Sequence, residues 1–180
     1  FNVQSLLDSL PYLQVLRLNG IAVEILHEDR VLWVKSEPGS PWIISAEGEM
    51  RHISLPLILE RQTEDGLLAL SRLSLIGEYI GDLRSPDYGA DLYLEVPHLE
   101  LENFVPPVNF GQGTLSSAIL EARLWFSIET GQVDVTGEFD IKNVDVHVDG
   151  SDIELLESVA GMFRYRGADI NNGSLSVPHI

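Results

Sequence analysis

The stretch LEARLWFSIETGQVDVTGEFDIKNVDV, residues 120–146, decides the fold. Its first half puts Leu120, Ala122, Leu124, Phe126 and Ile128 on one side and Glu121, Arg123, Trp125, Ser127 and Glu129 on the other. This is the period-two alternation of a half-buried strand, whose successive side chains point to opposite faces. Thr130-Gly131 supplies a turn, and a second strand sets Val133, Val135, Phe139 and Ile141 against Asp134, Thr136, Glu138, Asp140 and Lys142. The parity then slips at Lys142-Asn143, after which Val144, Val146 and Val148 become the apolar set. A one-residue slip would send every apolar side chain to the wrong face, so a bulge or a new strand is expected there.

The same period extends outward. ADLYLEV places Leu92, Leu94 and Val96 on one side and Tyr93 and Glu95 on the other, and IAVEIL alternates similarly after the turn signal Asn19-Gly20. Strands are expected near Ile43–Met50 and Ile53–Arg61, with Pro56 marking an edge position or a bulge. HLELENFVPP holds a single helical turn stopped by Pro106 and Pro107. Asn172-Gly173 reads as a hairpin turn near the end. Helical spacing is confined to Val3, Leu6, Leu7 and Leu10, behind Asn2 as cap and before Pro11. The expected fold is mainly β, with long antiparallel strands and a short N-terminal helix. Residues 1–11 form that helix, 12–80 a first strand set and 81–180 a second, all within one segment.

Composition narrows the function. Twenty-eight acidic against eleven basic residues give a formal charge of −17, and no cluster of Lys and Arg exists to meet phosphates, which argues against nucleic acid. The same sign argues against peripheral docking on anionic lipid headgroups. No cysteine is present, so neither a disulfide framework nor a thiolate site can form. No apolar run reaches the roughly 18 residues that span a bilayer. The chain opens on Phe1 rather than Met, and it reads as an excised piece of a longer polypeptide.

Motifs for chemistry are sparse. Asp145, His147 and Asp149 alternate on one strand and would suit a hard cation, but same-face neighbours stand about 7 Å apart, so they read as a solvated face. Gly111-Gln112-Gly113 reads as a turn, since neither a parallel strand nor a helix frames it as a phosphate loop. No metal site, cofactor or catalytic group is assigned, and the chain is not read as an enzyme. Trp33, Trp42 and Trp125 read as core or cover residues, with an aromatic platform for sugars as the competing reading.

Taken in order, GDLRSPDYG, ADLYLEVPHLELENF, ARLWFSIETGQV, GEFDIKNVDV and LESVAGMFRYRG resemble the YhdP-type branch of the AsmA-like bacterial envelope proteins. Upstream, LPYLQVLRLNGIAVEILHED and Leu55–Leu59 resemble strands of the same family. The resemblance covers most of the chain as a pattern of strands and turns, without a catalytic signature. It implies a curled, taco-shaped sheet whose concave apolar face carries phospholipid acyl chains across the periplasm toward the outer membrane. It also implies a parent anchored in the inner membrane, with neighbouring segments of the same polypeptide completing the groove.

Each acyl methylene kept from water contributes about 0.8 kcal/mol, so a continuous apolar trough holds a chain without specific contacts. The lining face would comprise Leu92, Leu94, Val96, Ala122, Leu124, Phe126, Ile128, Val133, Val135, Phe139, Ile141, Val144, Val146, Phe163 and Tyr165. An ordinary core covered by a helix or second sheet would use the same residues, although the helix near residues 3–10 is too short to cover every strand. Two other functions compete: a structural or chaperone-like envelope module that binds partner strands at its sheet edges, and a carbohydrate-binding β-sandwich.

Overall fold

A computed structural model describes residues 13–27, 30–63, 66–82, 88–103, 108–110, 113–129, 131–148, 151–168 and 173–177. Its strands are β1 (Val15–Leu18), β2 (Ala22–His27), β3 (Arg30–Ser36), β4 (Trp42–Glu47), β5 (Met50–Thr63) and β6 (Gly66–Ile80). They continue as β7 (Gly89–Glu100), β8 (Val108–Phe110), β9 (Gly113–Glu129), β10 (Gln132–Val148), β11 (Ser151–Gly167) and β12 (Gly173–Ser176). All belong to one antiparallel sheet whose main path runs β1-β4-β5-β6-β7-β9-β10-β11-β12, and it does not close into a barrel. No α-helix occurs among the described residues, so the described elements offer no second layer. The expected N-terminal helix lies outside the described residues.

The alternation at residues 120–146 becomes two 17-residue strands, β9 and β10, paired from Gln132 opposite Glu129 onward. The parity slip is a bulge. Asn143 has φ of 51°, and register shifts on both sides of β10 fall between Lys142 and Val146. Asparagine tolerates this left-handed backbone better than most residues, because its short polar side chain finds local hydrogen bonds. A 3-10 turn at Leu101–Asn103 matches the single helical turn expected there.

Several expectations change in detail. Residues 43–50 do not form one strand: Glu47 pairs with Met50 across a two-residue turn at Gly48-Glu49, so the chain reverses there. The strands flanking Asn19-Gly20 do not pair with each other. Instead β1 joins β4 while β2 joins β3, and both pairs dock on the same edge of β5. β4 covers β5 up to Ser54, and β3 takes over from Leu57. Pro56 sits in the gap between them, where its missing N–H costs no ladder bond, and its carbonyl accepts from Glu37 N at 3.2 Å and Trp42 Nε1 at 3.1 Å. Glu37-Pro38-Gly39-Ser40 is a type II turn between β3 and β4, with Gly39 at φ 81° and Ser40 N donating to Glu37 O at 2.9 Å. Gly173 is already the first residue of β12, opposite Gly167, so the last connection spans 168–172 rather than two residues.

Glycine also appears inside strands, under aromatic rings. Phe163 lies over its partner Gly137, and Phe139 lies over its partner Gly161, so the two pairs are reciprocal across β10 and β11. Rings laid over glycines on a neighbouring strand recover contact area that glycine itself lacks. Gly77 meets backbone instead of a ring: at φ 157° it brings β6 against the Asp91 carbonyl and Leu92 Cα of β7, within the space a Cβ would need. Gly77→Ala is expected to destabilise the sheet by about 2 kcal/mol or more, because the obstacle is backbone and cannot swing aside. Urea unfolding of the two proteins measures the loss.

Candidate functional site

Residues directly opposite in antiparallel strands share a face, so the register assigns every paired side chain to one side of the sheet. One row runs Leu16, Ile44, Ile53, Gly77, Leu92, Phe126, Val135, Tyr165 and Leu175, crossing nine strands without a charge. The adjacent row contains Leu55, Leu75, Leu94, Leu124, Gly137 and Phe163. A third brings together Val96, Ala122, Phe139 and Gly161.

Of the residues expected on the apolar face, Leu92, Leu94, Val96, Ala122, Leu124, Phe126, Ile128, Val133, Val135, Phe139, Ile141, Phe163 and Tyr165 lie together on it. Val144 pairs with Leu156 beyond the last regular register and is half-buried. Val146 has its backbone in β10, but its side chain lies outside the described residues. The sequence reading missed the contribution of the first strand set. Ile53, Leu55, Leu57 and Leu59 of β5 continue the same face, with Leu73 and Leu75 of β6 beside them. Their period of two was visible, but Pro56 drew attention to the edge instead.

Charge divides between the faces without exception for the acids. Among strand residues whose side chains are described the carboxylates are Glu24, Glu47, Glu60, Glu78, Asp91, Glu95, Glu100, Glu121, Glu129, Asp134, Glu138 and Asp140, and all twelve lie opposite the apolar rows. Among the described side chains the apolar face carries two charges, Arg51 and Arg61, at opposite ends of the same side of β5. Arg61 donates to the Asn103 carbonyl at 3.4 Å. Arg51 donates to the carbonyls of Gly48 at 2.9 Å and Met50 at 3.1 Å. Opposite Arg51 stands Tyr79, 6% exposed, whose hydroxyl is buried without a hydrogen-bond partner and whose pKa is raised by that burial, with Arg51 opposing.

Exposure differs between the faces as well. Across the middle strands, apolar-face side chains are buried or half-buried, and exposed ones such as Val23, Val159 and Leu175 lie towards the margins. On the polar face, exposed residues occur in the centre, including Ile76, Trp125 and Met162.

The polar face is an ion-pair ladder. Arg123 reaches Glu138 at 3.8 Å and Glu95 at 4.0 Å, and Lys142 reaches Glu121 at 2.7 Å and Asp140 at 3.4 Å. Hydrogen bonding to Glu121 raises the pKa of Lys142. Arg164 and Arg166 both grip Asp134, at 2.5 and 2.6 Å, and hold its carboxyl at about 2. An open depression of about 920 Å³ lies on this face, lined by His52, Ile76, Tyr93, Trp125, Asp134 and Arg164 among others. A second of about 530 Å³ lies between Glu95, Arg123, Glu138 and Met162.

The tryptophans do not assemble into a platform. Trp42 is on the apolar face, whereas Trp33 and Trp125 are on the polar face, separated by β5, β6 and β7. Trp125 instead pairs with Tyr93, ring centroids 5.4 Å apart. The side chains of Asp145 and His147, and all of Asp149, lie outside the described residues. Among the described residues no group of three His, Cys, Asp or Glu is placed to hold a metal.

Asp134 generates a pH prediction. Its folded pKa lies below the ordinary value, so its contribution to stability is present above about pH 4 and lost as pH falls through about 2. The stability difference between the parent and Asp134→Asn, measured by urea titration at a series of pH values, is expected to shrink over that window.

Neither a family model, nor a curated protein, nor a solved structure matches the chain, so the reading of these two faces rests on the residues themselves.

Proposed function

We propose that this chain is a segment of a bridge-like lipid transport protein of the bacterial periplasm, its apolar face carrying phospholipid acyl chains between the inner and outer membranes. The observation that carries this reading is the extent of that face: a row through nine strands with no carboxylate on it, on a chain of net charge −17. An apolar surface of that reach is far larger than soluble monomers usually leave open, and such patches mark binding surfaces. The depressions on the polar face are walled by ion-paired side chains and suit solvent better than acyl chains.

A second reading draws on one observation. β12 pairs only with Arg164–Gly167, which leaves the rest of the 17-residue β11 without an outer partner among the described elements. Such an edge suits strand addition by a protein partner or by a neighbouring segment of the same polypeptide.

Phospholipid is expected to copurify with the isolated segment. Leu124→Asp or Phe139→Asp should reduce loading about tenfold or more, because a carboxylate in the acyl path loses its hydration. Mass spectrometry of extracted lipid measures this, and circular dichroism checks that the sheet survives. Normal loading in both folded variants, with crosslinks to a partner along β11, would instead support the edge-binding reading.

A further inference from the structure

Three neighbouring strands set Ile76, Tyr93 and Trp125 side by side on the polar face, each directly opposite the next. They line the 920 Å³ depression, where Ile76 is 44% exposed and Trp125 39%. Most of this face is made of ion pairs, and exposed aromatic surface in such a setting is typical of the anchors by which proteins meet partners. The row beside the stripe is acidic. Glu78 stands directly opposite Asp91, an arrangement of like charges that costs stability when nothing positive joins it. Elsewhere on the face Arg123, Lys142, Arg164 and Arg166 hold carboxylates, but Glu78, Asp91 and Glu129 of the depression meet no Lys or Arg among the described residues. His52 reaches Glu78 at 3.4 Å and Glu47 at 3.5 Å, one imidazole between two carboxylates. The arginines that wall the far side of the depression, Arg164 and Arg166, both close on Asp134. Same-face neighbours along a strand stand about 7 Å apart, so the acidic row runs beside the aromatic one at a distance that one long cationic side chain spans.

We infer that this depression is a docking site for an arginine-bearing segment of a protein partner, its guanidinium taken by Asp91 and Glu78 and its aliphatic stem laid over Trp125 and Tyr93. Arginine fits both halves of the site, because its planar head stacks on aromatic rings and forks onto a carboxylate. Charge complementarity selects a basic occupant. The depression holds Glu78, Asp91 and Glu129 without a Lys or Arg partner among the described residues, on a chain of net charge −17. That field draws a cationic segment in, and the uncompensated carboxylates retain it. A neutral glycan would also stack on the two rings, but it would leave Glu78 facing Asp91 with no charge between them. The site lies on the side of the sheet opposite the apolar rows and stands independently of the trough reading.

The test measures binding of a fluorescent Arg-Ser-Arg-Ser-Arg peptide to the full chain, beside the same peptide with citrulline in place of arginine, which keeps the shape and loses the charge. The arginine peptide is expected to bind about tenfold more tightly, as charge-assisted contacts provide, and to weaken as salt is raised. Trp125→Ala and Asp91→Asn should each weaken it about fivefold, and Glu78→Gln severalfold. Trp125 and Asp91 are exposed, and circular dichroism checks that the sheet survives each change. Glu24→Gln, which removes the same charge from β2 away from the depression, should alter binding less than about twofold. Equal binding of the two peptides would overturn the site. A loss in Glu24→Gln as large as in Asp91→Asn would overturn it too, since overall charge alone would then explain the attraction. Binding unchanged by Trp125→Ala would overturn the assignment to the aromatic stripe. If the arginine peptide fails to bind while cellohexaose binds and is released by Trp125→Ala, the depression is a sugar platform and the arginine site is wrong.

Discussion

Register between neighbouring strands, unbroken across their middles from β5 through to β11, makes the two sides of this sheet chemically different. A strand by itself only alternates. Alternation becomes a surface when each apolar residue stands opposite another, as Leu94 does between Leu75 and Leu124, and as Val135 does between Phe126 and Tyr165. A slip of one residue in any of these ladders would turn carboxylates into the apolar rows. The strand carboxylates therefore act as a check on pairing as well as a source of solubility.

The ion pairs fit that role better than a stabilising one. Arg123, Lys142, Arg164 and Arg166 are substantially exposed, and exposed pairs contribute little. Their value is positional, because each pair spans neighbouring strands that only one register brings together. Arg123 meets Glu95 and Glu138 from two different strands, and Lys142 meets Glu121 across the β9–β10 ladder. Sheet stability itself comes from the backbone ladders and the apolar rows.

How much of this was legible in the sequence follows from range. Leu120–Ile141 could be read residue by residue, since alternation is local, and so could the bulge, because Asn143 breaks parity within the strand. Pro56 was read as an edge marker and is one in a restricted sense, sitting where the partner of β5 changes from β4 to β3. That change was not legible, as nothing local states which strands share an edge. The same limit hid the reversal at Gly48-Glu49, two ordinary residues in a polar run, and the pairing of β1 with β4 rather than with β2. Arg51 and Arg61 were missed for a different reason. A single cation in an alternating strand looks unremarkable until register shows that the acids around it all face away.

The reciprocal pairs Gly137 with Phe163 and Phe139 with Gly161 bear on speed rather than affinity. A ring laid over a glycine lowers a peak and fills a hole in the same step, so the surface has less relief there than its sequence of large and absent side chains suggests. For any molecule moving over such a floor, each 1.4 kcal/mol of unevenness slows a hop about tenfold. A level surface therefore permits rapid creep at undiminished overall adhesion. Filling either glycine with a side chain would leave the face as apolar as before and make it rough.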